Sequence, residues 1–246
     1  MGTSKTSTTE TSRIYPKLTG VPYKQFLSRM HGLIQPDWYL EIGSSRGDSL
    51  ILATAKTIAV DPVFNLKFDA LAKKTELHLL QMTSDEFFAS ERACSIAPHI
   101  DMAFLDGMHL FEYLLRDFIG TEKLCKKESV IAMHDCIPIT PIAAERIWKK
   151  SETRDWTGDV WKLVPILRKY RPDLDIKVVD CPPSGLTIIS KLNPKDTTLS
   201  KNYDRIVMEF IDQSIASYGK ELLLADLHIL SSDSDEITPY YTIVKN

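Results

Sequence analysis

Residues 38–62, WYLEIGSSRGDSLILATAKTIAVDP, constrain the fold more than any other stretch of the chain. Residues 38–42 form a short apolar run rich in aromatic and branched side chains. The run ends at Gly43, where a chain leaving a sheet can turn without a Cβ penalty. Gly43-Ser44-Ser45-Arg46-Gly47 then reads as a glycine loop, 49–55 as a helix, and 57–60 as a second buried strand stopped by Asp61-Pro62, where proline cannot extend a ladder. Strand, tight turn, helix and strand make half of a doubly wound sheet, whose ligands bind outside the carboxyl ends of the strands.

The loop's composition narrows the ligand. In the dinucleotide fingerprint, the second and third glycines let the backbone approach a pyrophosphate and let the helix pack on the strand; here those positions are Ser45 and Asp48. A carboxylate at the start of a helix suits its dipole but repels a phosphate bound to the same amides. Glu41, Asp48 and Asp61 together favour a ligand with positive charge and free hydroxyls, such as an ammonium, a sulfonium or a ribose diol. S-adenosylmethionine carries all three.

Two later strands end in ionisable groups. Residues 100–109, IDMAFLDGMH, deliver Asp106 and then His109, and residues 130–135, VIAMHD, deliver His134 and Asp135. Adjacent strands presenting polar residues at one sheet edge are what a reaction centre on such a sheet requires, and they exceed what strand capping needs.

Glu41-Ile42-Gly43-Ser44-Ser45-Arg46-Gly47 resembles the first motif of the class I S-adenosylmethionine-dependent methyltransferases, E/D-x-G-x-G-x-G, with Ser45 in place of the middle glycine. Residues 104–109, followed by Arg116-Asp117 and by Met133-His134-Asp135, are similar to the macrocin-type and rhamnosyl O-methyltransferases within that class; the likeness covers about residues 20–192. It implies a Rossmann-like α/β sheet of seven strands, mostly parallel with the last antiparallel, and helices on both faces. It also implies that Glu41, Gly43, Ser44, Ser45, Gly47 and Asp106 line the cofactor and that Asp61 holds the ribose hydroxyls. Ser84, after the third strand, would border the adenine, though it reads equally as a helix N-cap. His109 and Asp106 would face the transferred methyl; an unperturbed imidazole, with a pKa of about 6.5, is the better base near neutral pH. In metal-dependent relatives the ion is held at positions that correspond here to Asp106, His134 and Asp135. Hard oxygen ligands suit magnesium, whereas His134 would admit a softer ion or none.

The implied activity is methyl transfer to a hydroxyl of a sugar, glycoside or other small natural-product-like acceptor. An NAD-dependent oxidoreductase on a similar sheet, or a catalytically silent cofactor-binding scaffold, are the alternatives. A net charge of −3 over 246 residues offers no field for nucleic acid, and no apolar run approaches the length of a membrane span, so no nucleic-acid or membrane partner is expected and the expected compartment is cytoplasmic. Cys94, Cys125, Cys136 and Cys181 lack paired spacing and read as reduced thiols.

The expected organisation is a disordered Ser/Thr-rich tail at 1–13, a methyltransferase domain at 14–192, and a helical extension at 193–246 that packs on the domain or forms a homodimer interface. A helix over 23–30 would cap the sheet or lie over the cofactor as a lid, and 141–150 suits another helix. Trp161 reads as core or as a stacking surface for the acceptor.

Overall fold

A computed structural model describes residues 17–67 and 69–237; the tail at 1–13 and the last residues of the extension lie outside this range. Among the described residues eight strands form one sheet: β1 (Trp38–Ile42), β2 (Lys56–Val60), β3 (Leu77–Leu80), β4 (Ile100–Leu105), β5 (Cys125–His134), β6 (Asp175–Val179), β7 (Leu186–Ser190) and β8 (Ile229–Leu230). Their order is β3-β2-β1-β4-β5-β7-β6-β8, and only β7 runs antiparallel to its neighbours. The sheet is Rossmann-like as expected, but with eight strands rather than seven. The eighth is a two-residue edge strand beside β6, too short to carry a period-2 pattern.

The central strands are buried on both faces, so their side chains alternate between two apolar clusters. Tyr39, Met102, Phe104, Val130 and Ala132 meet Phe26, Leu27 and Met30 of α1 (Tyr23–Ile34) on one face. Leu40, Ile42, Ala103, Leu105, Ile131 and Met133 face the other side. There they meet Phe111, Leu115 and Phe118 of α4 (Phe111–Leu124), Leu163 and Leu167 of α5 (Leu163–Tyr170), and Phe87 of α2 (Ser84–Ala89), with α3 (Arg92–Ile96) beside it. The same cluster takes in the C-terminal helices through Leu199 of α6 (Thr198–Lys201), Ile206 and Phe210 of α7 (Tyr203–Phe210), Ile215 of α8 (Ile215–Tyr218), and Leu223 and Leu227 of α9 (Lys220–Leu227). Among the described residues no helix is long and apolar enough to cross a membrane, and all four cysteines are free.

Two local expectations are corrected, and a third reading, of Trp161, is settled as core. The helix expected at 49–55 is only a 3-10 turn, Leu50–Leu52, followed by extended chain at Ala53. The segment must return along a five-residue strand, about 16 Å at about 3.3 Å per residue, and seven helical residues at 1.5 Å would cover only about 10 Å. The helix expected at 141–150 is a set of turns, because the carbonyls it would need are taken by a returning loop: Thr157 and Gly158 amides donate to Ala143 O, and the Trp156 indole donates to Glu145 O. Trp161 is core, buried and edge-to-face with Tyr218.

Candidate active site

Strand register sets the site. Ile42 pairs with both Val60 and Leu105, and Leu105 pairs with Met133, so the next residues, Gly43, Asp61, Asp106 and His134, form one row along the carboxyl edge of four parallel strands. The crowding in that row explains its glycine. Gly43 adopts φ +89°, and a Cβ there would lie 2.1 Å from the Asp106 carbonyl oxygen, so only glycine lets the first loop pass the strand-four loop.

On the β1–β2 side the loop is held by its own acid. Asp61 Oδ2 accepts the Ser45 amide at 2.8 Å and Oδ1 accepts the Val63 amide at 2.8 Å, with Ser45 itself left-handed at φ 40°. Gly47 turns the chain at φ +81°, its amide donating to Ser44 O at 2.7 Å. Asp48 pairs with Arg46 at 2.8 Å and with Lys24 of α1 at 3.4 Å, tying the first helix to the loop. Glu41 and Ser44 are buried beneath it. Glu41 accepts hydroxyls from Tyr39 at 2.8 Å and Ser49 at 3.0 Å; burial pushes its carboxyl up to about 7 against these hydrogen bonds.

On the β4–β5 side four ionisable side chains converge. His109 Nε2 lies 3.2 Å from Asp135 Oδ2 and 3.5 Å from Asp106 Oδ1, while His134 Nδ1 lies 3.3 Å from Asp135 Oδ1 and 3.5 Å from Asp106 Oδ1. Ligand atoms of Asp106, His134 and Asp135 all fall within 4.8 Å of one another. Burial opposes charge on Asp106, His109 and His134, but the mutual attraction wins: the two imidazoles hold Asp106 well below the usual carboxylate range, and the two carboxylates raise His134 to about 10 and His109 to about 9. The expectation of His109 as a base on its ordinary pKa therefore needs correcting. Between two carboxylates its ring holds its proton at neutral pH.

Other residues buttress the cluster. His109 Nδ1 lies 2.9 Å from Trp156 O, and the two rings are 5.3 Å apart. Gly158, two residues on, is so close that a Cβ would meet His109 O at 1.7 Å. Asp159 accepts the Phe111 amide at 3.0 Å and salt-bridges Arg146 and buried Lys162, locking this loop to the start of α4. Ser184, from the turn between β6 and β7, donates its hydroxyl to Asp135. Tyr23, at the start of α1, lies over the cluster with its ring 4.0 Å from that of His134. Sequence reading named none of these as site residues. Long-range loop contacts leave no local spacing, although the isolated Gly158 beside Asp159 is the kind of mark a close backbone approach leaves.

Ser84 stands apart from both groups. The N-cap of α2 is Thr83, in a capping box with Glu86, and the Ser84 hydroxyl is directed instead to Asp117, a buried carboxyl on α4 that burial pushes up to about 7.

The arrangement offers a rigid acid-backed loop on one side and a mixed imidazole–carboxylate cluster on the other, side by side at one sheet edge. A family model described as a methyltransferase domain matches residues 40–136, the span that holds both. No curated protein matches the chain significantly. Among solved structures, an O-methyltransferase from Bacillus cereus in complex with SAH is 13% identical with a TM-score of 0.53, over 71% of this chain and 82% of that one. The O-methyltransferase TomG from Streptomyces achromogenes, involved in tomaymycin synthesis and solved with SAM, is 16% identical with a TM-score of 0.49, over 72% and 83% of the two chains. The fold is thus shared with a Rossmann-like O-methyltransferase.

Proposed function

We propose that the chain is an S-adenosylmethionine-dependent methyltransferase acting on a hydroxyl of a small acceptor, of the sugar, glycoside or natural-product type. The observation that carries this reading is the row Gly43, Asp61, Asp106 and His134 along one strand edge, which sets an acid-backed glycine loop beside an imidazole–carboxylate cluster. The family match over residues 40–136 supports it. Glu41, Gly43, Ser44, Ser45, Gly47 and Asp61 form the cofactor side, with Asp106 reaching it from the strand-four loop.

In the reaction the acceptor oxygen attacks the methyl carbon in line, the carbon–sulfur bond breaks, the oxygen–carbon bond forms and the hydroxyl proton leaves, yielding the methyl ether and S-adenosylhomocysteine. Catalysis then combines positioning with removal of that proton. Asp106 and His109 are the catalytic groups; His109, whose ring is raised to about 9, takes up the hydroxyl proton in its neutral form. Asp106, His134 and Asp135 offer two carboxylates and an imidazole to a divalent ion, a donor set that fits one. Such an ion would acidify a hydroxyl bound to it. The chain's own contribution is to hold these side chains fixed through Ser184, the Trp156 carbonyl and the covering Tyr23 ring.

The experiment is a methyl-transfer screen with S-adenosylmethionine against hydroxylated sugars, glycosides and phenols, reading methyl ether and S-adenosylhomocysteine together. Product on at least one hydroxyl acceptor is expected. Tight cofactor binding without product on any acceptor would favour a silent scaffold instead.

A further inference from the structure

The turns that follow β5 set two indole rings beside His109, and no step of the reaction written above uses those rings. We propose that Trp148 and Trp156 form a wall of the acceptor site, and that the acceptor is a flat aromatic ring carrying the reacting hydroxyl, a phenol, rather than a sugar. This rests on the methyltransferase reading given above and narrows its acceptor. The transfer is the same, with a phenolic oxygen as nucleophile and an aryl methyl ether and S-adenosylhomocysteine as products, the hydroxyl proton passing to His109.

Three observations carry it. The first is continuity with the reacting groups. The Trp156 ring lies 5.3 Å from that of His109, and the Trp148 ring lies 5.8 Å from that of Trp156 with only 5° between their planes. The rings lead from the imidazole outward to Trp148, which is 41% exposed. The segment that carries them is fixed at its base, because Arg146 pairs with Glu112 of α4 and with Asp159, both at 2.6 Å.

The second is the chemistry of the surface. An indole has a broad carbon face and one polar handle, its N–H. Both handles are engaged by backbone here: Trp148 Nε1 donates to Thr153 O at 3.1 Å, and Trp156 Nε1 donates to Glu145 O at 2.7 Å. The rings therefore offer a ligand only carbon. Apolar neighbours extend that surface, since Ile147, next to Trp148, is 76% exposed and Met108, next to His109, is 52% exposed. Large apolar side chains left in water beside a reaction centre suit a ligand that covers them, and aromatic rings favour another flat ring in offset stacking. A sugar buried there would need a hydrogen-bond partner for each hydroxyl, and the indoles have none to give.

The third is access. Lys150 Nζ lies 4.7 Å from the centre of the Trp148 ring, so the face of that ring is open to a visitor. A cation–π contact at an exposed site is weak, and a flat ring can take the place of the lysine.

The test compares acceptors and separates kcat from KM. Naphthol, catechol and methyl glucoside are each offered with saturating S-adenosylmethionine, and calorimetry follows naphthol binding to the S-adenosylhomocysteine-loaded protein, which needs no turnover. Naphthol should bind, and kcat/KM for a phenol should exceed that for the glucoside by about tenfold or more. Trp148→Ala should raise the phenol KM, and the naphthol Kd, by about tenfold with kcat near the wild-type value. Trp148→Phe keeps a ring but lacks the indole N–H, so it should restore most of the loss. If the ring only pins the turns through Thr153, the two variants will behave alike, and the proposal is overturned. Preference for the glucoside, absence of naphthol binding, or unaltered KM and Kd in Trp148→Ala that circular dichroism shows to be folded would each overturn it as well. Calorimetry of the same protein with S-adenosylmethionine alone reports the methyltransferase reading separately: failure to bind it removes that reading, whereas cofactor binding with transfer only to the glucoside removes this proposal alone.

Discussion

The two halves of the carboxyl edge solve the same problem in opposite ways. Around β1 and β2 the polar groups satisfy one another: Asp61 takes two loop amides at 2.8 Å, and Glu41 takes two hydroxyls. Around β4 and β5 the polar groups face each other at 3.2–3.5 Å with their alignment fixed from behind, by Ser184 and the Trp156 carbonyl. A self-satisfied loop is preorganised to receive a neutral diol or a cation at its rim. A cluster held slightly apart is preorganised to receive something between its members. Cofactor binding should therefore belong to the first half and turnover to the second.

The largest expected effect comes from the one residue that joins the halves. Gly43→Ala would drive a Cβ into the Asp106 carbonyl and strain a backbone at φ +89°; thermal unfolding should show a loss of about 2–5 kcal/mol. Unchanged stability would mean that the two loops pass each other less closely than described here. Next, His109→Ala should lower turnover by about 10²-fold or more while cofactor affinity stays at the wild-type value. A parallel fall in affinity would erase the division of labour.

Glu41 gives the comparison a pH signature. Its carboxyl is raised to about 7 in the fold from an ordinary value of 4.5, so below 4.5 it carries a proton in both states and costs nothing. As pH rises from 4.5 to 7 the unfolded chain releases this proton more readily than the folded one, and stability falls by on the order of 2–3 kcal/mol. Glu41→Gln should flatten that part of the stability profile, and an unaltered slope would show that the carboxyl is not held protonated. The smallest effect is expected from Asp61→Ala, which should weaken S-adenosylmethionine by about 1–3 kcal/mol, the range for leaving hydrogen-bonding groups unpaired. Because Asp61 also braces Ser45 and Val63, a folded variant with intact affinity would assign the acid to the loop alone.

The sequence discloses these halves unequally. Strand ends are legible because an apolar run that stops at Gly43, Asp61, Asp106 or His134 marks both the strand and its polar terminus, and parallel register then aligns them. The connections are less legible. Residues 49–55 have helical composition, yet the length of β1 demands a more extended return. Residues 141–150 lose their helix to hydrogen bonds from 156–158. Ser184 reaches Asp135 across 49 residues, which no local pattern records. The C-terminal helices were legible as apolar stripes, but their burial in the main cluster through Ile206, Phe210 and Leu227 is a tertiary outcome.

The central claim is that the chain binds S-adenosylmethionine on its β1–β2 half without help from an ion in the β4–β5 cluster. Calorimetric titration of S-adenosylmethionine into chelator-stripped protein and into ion-loaded protein, with NAD as the competing ligand, tests it directly. The account predicts the same S-adenosylmethionine affinity in both preparations and no binding of NAD; binding of NAD alone, or cofactor affinity that disappears with the ion, would contradict it.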